Sequence, residues 1–167
     1  MRQRSVLALA ALCLGGALAA PAPSLAQKSV SGKLEIDGKT YALEHAYVDE
    51  ADGEEPIVVL SDRSIPPETM PFLSANFVKE KKVHAIAFSL SRESKALTNT
   101  FGKVWAPEHE IGVGIGRVED GNVKLTVTLI SPTAIEGRIA TVKPVKLSFV
   151  SYAFDLTFKA KAGGGKK

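Results

Sequence analysis

The sequence predicts an all-β fold, an antiparallel sandwich or barrel of about eight or nine strands with one short helical insertion near residues 67–81. Three observations carry that expectation. Apolar and polar residues alternate with period two along most of the chain. Turn dipeptides such as Asp37-Gly38 separate the alternating runs. One stretch only, PPETMPFLSANFVKEKK, breaks the alternation.

In VSGKLEI, Val30, Gly32, Leu34 and Ile36 oppose Ser31, Lys33 and Glu35. Asp37-Gly38 then predicts a two-residue hairpin, returning through a strand that alternates Tyr41, Leu43, His45 and Tyr47 against Ala42, Glu44, Ala46 and Val48. PIVVLS is apolar on both faces, which suits a central strand. In the breaking stretch, Pro66 and Pro67 can open a helix and Lys79 to Lys82 suit its negative end, with Phe72, Leu73 and Phe77 as its apolar stripe.

VHAIAFSL places His84, Ile86, Phe88 and Leu90 on one face, with Val83, Ala85 and Ala87 on the other. EIGVGIG alternates Ile111, Val113 and Ile115 with three glycines. In VKLTVTL the inward set is Val123, Leu125, Val127 and Leu129, and AIEGRIATV is a weaker strand. In VKLSFVSYAFDLTF the phase changes: Val145, Leu147 and Phe149 are odd, while Tyr152, Phe154, Leu156 and Phe158 are even. A bulge or sharp bend near Val150-Ser151 would restore one buried face.

The ends frame this domain. Arg2 and Arg4, the apolar run Val6 to Ala20 and Ser24-Leu25-Ala26 read as a secretory signal peptide, residues 1–26, cut between Ala26 and Gln27. The run is too short to span a bilayer, which takes about 20 residues. The single cysteine, Cys13, lies inside the signal and follows Leu12, where a lipoprotein signal needs a small residue. The exported chain therefore has no cysteine, and its fold rests on its core alone. Residues 27–161 fit one domain, and 162–167 form a flexible Gly/Lys tail. These features place the protein in the periplasm or outside the cell, with no membrane span after signal cleavage.

The charge of +3 counts Arg2 and Arg4; without them 19 basic residues face 18 acidic ones. Lys166 and Lys167 sit in the tail, so the body is near neutral and slightly acidic. Nucleic-acid binding is not expected of such a surface.

No segment carries a complete catalytic or metal signature. The run HAYVDEADGEEP gathers Asp49, Glu50, Asp52, Glu54 and Glu55, the hard oxygen ligands calcium prefers. Aligning Gly53 with the invariant glycine of the helical calcium loop puts valine at both flanking ligand positions, so a solvated connection is the simpler reading. His45, His84 and His109 form no close metal-ligand pair, and HEIGV has Val113 where a second histidine would stand. His45 and His84 fit better as hydrogen-bonded rim histidines; a zinc site assembled in space from all three stays open. GVGIGR has Arg117 where the dinucleotide fingerprint needs a glycine. No G-x-S-x-G elbow surrounds any serine. No catalytic residue, metal ligand or cofactor is assigned.

Binding candidates are Asp62 and Arg63, which follow the central strand in LSDRSIPPE, His45 and Tyr47 on the return strand, and Trp105 in KVWAPEHE. Asp62 and Arg63 could equally pair to fix their own loop.

SGKLEIDGKTYALEHAYV, IVVLSDRSIPPE and EGRIATVKPVKLSFVSYAFDLTFKA together resemble a group of small secreted bacterial β-rich proteins. That group combines a G-x-L-x-x-D-G-K opening, an H-A-Y segment, an L-S-D-R-x-x-P loop and a late F-D-x-x-F strand. The resemblance spans Ser31 to Ala160 and implies an exported β-rich domain, without an activity or a ligand. The expected function is non-enzymatic binding of a protein or cell-envelope component. Alternatives are a carrier holding an apolar ligand against the Gly112/Gly114/Gly116 face, or a metal-assisted hydrolase using the histidines.

Overall fold

A computed structural model describes residues 28–49, 55–66, 75–109, 113–114 and 121–162. The expected signal peptide, most of the acidic run, residues 67–74 of the insertion, most of the glycine-alternating strand and all but the first residue of the tail lie outside the described residues. Within them the fold is mostly β, with one short helix and eleven strands in a large mixed sheet that does not close into a barrel.

The first hairpin forms where the turn dipeptide places it. Strand β1 (Val30–Ile36) pairs with β2 (Lys39–Tyr41), and Asp37 and Gly38 both adopt positive φ, 50° and 76°. A two-residue turn of this hand matches the twist of the flanking strands. Gly32 lies inside β1 at φ 112°, and a Cβ there would collide with the Asp155 carbonyl, so only glycine fits.

After Tyr41 the chain departs from expectation. The single return strand divides into β2 and β3 (His45–Asp49), with Ala42 to Glu44 outside any strand. The division changes the buried face: Leu43, Ala46 and Val48 are buried, whereas His45 and Tyr47 are half-buried on the other side. Strand β3 pairs with β4 (Ile57–Ser61), which pairs with β5 (Ala85–Leu90), which pairs with β6 (Leu97–Trp105) and onward to β7 (Val113–Gly114).

Strands β4 and β5 are buried on both sides because two cores meet them. Ile86, Phe88 and Leu90 belong to the first core, and Ala85 and Ala87 to a second with Val59, Ile65, Val78, Val83 and Trp105. Helix α1 (Ala75–Lys81) supplies Val78 and Phe77 to that second core. Its end is closed in Schellman fashion: Val83 N–H donates to Val78 O, Lys82 N–H donates to Lys79 O, and Lys82 takes the left-handed φ of 53°.

The rest of the sheet is organised by β11 (Ser151–Ala162), the longest strand. One edge carries β1, and the other carries β9 (Ala134–Thr141) and the short β10 (Val145–Lys146); β8 (Val123–Ile130) pairs with β9. Beyond β1, the same edge of β11 meets β3 through Lys161↔Tyr47 and Ala162↔Val48, and this pairing is parallel. The purely antiparallel expectation is corrected there: β11 runs past the end of β1 and acts as a corner between two halves of the sheet.

The halves fold together over the first core. Phe158 on β11 and Phe88 on β5 are three strand steps apart, about 14 Å in a flat sheet. Their ring centroids are 5.7 Å apart, edge to face. The sheet must therefore curl, and Leu34, Leu60, Ile139 and Leu156, all 0% exposed, fill the interior.

Two expectations for the later strands are also corrected. Leu129 is 43% exposed, because β8 shifts register against β9 between Val127 and Leu129. The phase change before Tyr152 is a chain reversal joining β10 to β11, closed by Leu147 N–H donating to Val150 O at 2.8 Å. Leu147 and Phe149 therefore project outward, 43% and 62% exposed, and Val150 alone returns to the core.

Candidate functional site

Hydrogen-bonding register sets several strand ends side by side. Ser61 ends β4, Ala85 begins β5 and Trp105 ends β6, and all three are matched across the ladder. The β1–β2 turn lies beside the start of β11, where Asp37 N–H donates to Ser151 O at 2.9 Å. Tyr41 ends β2 here, and the loops at this end carry Asp62, His84, Glu108, His109 and Phe149.

His84 is the centre. It is a buried polar residue, 8% exposed, just before β5. Its ring Nδ1 lies 2.8 Å from Asp62 Oδ2, and its backbone N–H donates to Asp62 Oδ1 at 2.9 Å. Asp62 N–H in turn donates to the His84 carbonyl at 3.0 Å. The other ring nitrogen, Nε2, faces Glu108 Oε1 at 3.4 Å. The Tyr41 ring stacks on the imidazole with centroids 3.6 Å apart, and its hydroxyl donates to Glu108 Oε1 at 3.0 Å.

Opposing forces act on the His84 proton. Burial favours the neutral ring, but the Asp62 and Glu108 carboxylates outweigh it and raise the pKa above the ordinary 6.5. Glu108 also loses hydration, which favours its acid form, yet hydrogen bonds from its own backbone, Tyr41 and His84 hold its carboxyl below the ordinary 4.5. Tyr41 is pushed up by burial and by Glu108.

A second pair adjoins the first. His109 Nε2 lies 3.1 Å from Asp37 Oδ2, and Asp37 Oδ1 accepts the Ser151 N–H at 2.7 Å. The Ser151 bond, with His109 beside it, lowers the Asp37 carboxyl against a smaller effect of burial. The Phe149 ring meets the His109 ring edge to face with centroids 6.3 Å apart.

The binding candidates from sequence divide around this cluster. Asp62 belongs to it, with His84 as its partner; Arg63 is exposed, and its carbonyl accepts the Ser61 hydroxyl at 2.7 Å. Tyr47 fixes the neighbouring loop: its hydroxyl accepts the Ile65 N–H at 3.1 Å and donates to Ser64 Oγ at 3.4 Å. His45 stacks near Tyr47, ring centroids 6.3 Å apart. Trp105 is 5% exposed in the second core, with Lys103 Nζ 5.1 Å from its ring centroid.

Tyr41, Glu108, Asp37 and Phe149 were not singled out from sequence. Asp62 and Glu108 stand 22 and 24 positions from His84, so no local spacing announces the group. The usable signals were Asp62, in the loop after a central strand, and His84, a titratable residue heading an otherwise apolar strand, with nothing to pair them. Among the described residues no three His, Cys, Asp or Glu side chains gather in a way that could hold a metal ion. No helix among them is long and apolar enough to cross a membrane. No family model, curated protein or solved structure matches the chain.

Proposed function

We propose that the protein is an exported β domain that binds a protein or cell-envelope component, without catalysis of its own, through the end of the sheet that carries Phe149. In this reading the curled sheet is a two-layered sandwich, and its rigid strands hold the recognition loops in place. The single observation that carries the proposal is Phe149, a large aromatic 62% exposed in a closed turn beside a polar cluster. An exposed apolar anchor rimmed by polar groups is the usual composition of a contact surface. Support also comes from the signal-like N-terminus and from the resemblance to small secreted β-rich proteins.

Site-specific photo-cross-linking in the producing cell tests the reading. A photoreactive phenylalanine analogue at position 149 is expected to trap a discrete protein or envelope species, while the same analogue at exposed Thr128 traps none. Equal labelling from both positions, or none from position 149, would remove Phe149 as the anchor.

A further inference from the structure

Both ring nitrogens of His84 point at carboxylate oxygens, Nδ1 at Asp62 and Nε2 at Glu108. A neutral imidazole carries a single N–H, so only the doubly protonated ring can donate to both. The two contacts are unequal. The Asp62 side is short and reinforced by two bonds that do not depend on the ring's charge, His84 N–H donating to Asp62 Oδ1 and Asp62 N–H donating to the His84 carbonyl. The Glu108 side is longer, 3.4 Å, and the Glu108 side chain is 45% exposed. When the ring loses a proton, the remaining one stays on Nδ1 against Asp62. Nε2 then turns a lone pair toward the Glu108 carboxylate, and attraction becomes repulsion.

Glu108 belongs to a small loop closed by His109 N–H donating to Ala106 O at 3.2 Å. The next residue, His109, reaches across to Asp37, which binds Ser151 at the base of the Phe149 turn. We propose that His84 is a protonation latch: charged, it fastens the 106–109 loop and the Phe149 surface in the form described, and its deprotonation as pH rises releases them.

The groups facing the ring come from every neighbouring segment. Asp62 lies after β4, Glu108 after β6 and Tyr41 in β2; beyond Tyr41 stands Asp37 of the β1–β2 turn, paired with His109. Asp62 and Glu108 favour the charged ring, and burial opposes it. The consequence for binding rests on the function proposed above, but the latch itself does not.

Long-range proton–nitrogen NMR of the isolated protein from pH 5 to 10 reads the ring directly, with amide exchange followed at Glu108 and His109. Both His84 nitrogens are expected to carry protons at pH 6, with a midpoint above 6.5. At that midpoint the Glu108 and His109 amides should shift, and their exchange, corrected for pH, should rise at least about tenfold. Glu108→Gln, at a half-exposed position that leaves the core untouched, should lower the midpoint and abolish the loop response. A ring neutral at pH 6, or one that titrates with no change at Glu108 and His109, overturns the latch. Loss of cross-linking from position 149 with these signals intact would sink the binding surface and leave the latch standing.

Discussion

Asp62 holds His84 at two points, its Oδ2 2.8 Å from the ring Nδ1 and its Oδ1 accepting the His84 backbone N–H at 2.9 Å. A carboxylate bound in this manner sets the ring's orientation, its tautomer and its charge together. It also ties the loop after β4 to the start of β5. One residue pair therefore joins the fold's central ladder to the chemistry of its loop end.

The sign of the pH dependence follows from that pair. The His84 pKa is raised in the folded protein, so its contribution is fully present below about pH 6.5 and fades as pH rises through the raised value. The Glu108 pKa is lowered, so its contribution is present above about pH 4.5 and fades as pH falls. Asp62→Asn should cost about 2 kcal/mol at pH 6, in the range for removing a charged hydrogen-bond partner from a buried group. The cost should shrink at a pH above the raised His84 value, where the wild-type ring has lost its charge. Urea unfolding followed through Trp105, the single tryptophan, measures both values. Equal losses at the two pH values would contradict the assignment.

Gly32 tests the tie between β1 and β11. Its φ of 112° and the Asp155 carbonyl above its missing Cβ leave no room for a side chain. Gly32→Ala should destabilise by at least about 2 kcal/mol. At Gly38, φ is 76° but nothing lies within 4 Å of a built Cβ, so only conformational strain remains. Gly38→Ala should therefore cost about 1 kcal/mol. Thermal unfolding of the two variants side by side should preserve that order.

Lys82 offers the opposite change. It occupies the left-handed position that closes α1, where glycine carries no steric cost. Lys82→Gly should stabilise by about 0.5–1 kcal/mol, visible as a higher midpoint in urea. A lower midpoint would mean that the Lys82 side chain matters more than its backbone.

Period-two alternation was enough to read β1 and β5, an apolar run to read β4, and the Asp37-Gly38 dipeptide to read its turn, because there the outcome is decided within a few residues. It failed where long-range geometry decides. The break between Tyr41 and His45 moves the chain from one half of the sheet to the other, a tertiary event that leaves alternation nearly intact. Phe149 and Leu147 keep a strand-like phase with Val145 but lie in a reversal, so two apolar residues that looked internal are exposed. For the site, Asp62 was legible as a loop residue after a central strand. Its pairing with His84 was not, since the β4–β5 ladder that brings the two together spans the whole helical insertion.

Binding through the Phe149 end is tested most directly by native mass spectrometry of the protein isolated gently from its own host, alongside a Phe149→Ala variant. The wild-type protein should retain a partner that is missing from the variant, while the unfolding free energies of the two differ by no more than about 0.5 kcal/mol. A partner held equally by both, or a retained small organic molecule or stoichiometric metal ion in its place, would contradict it.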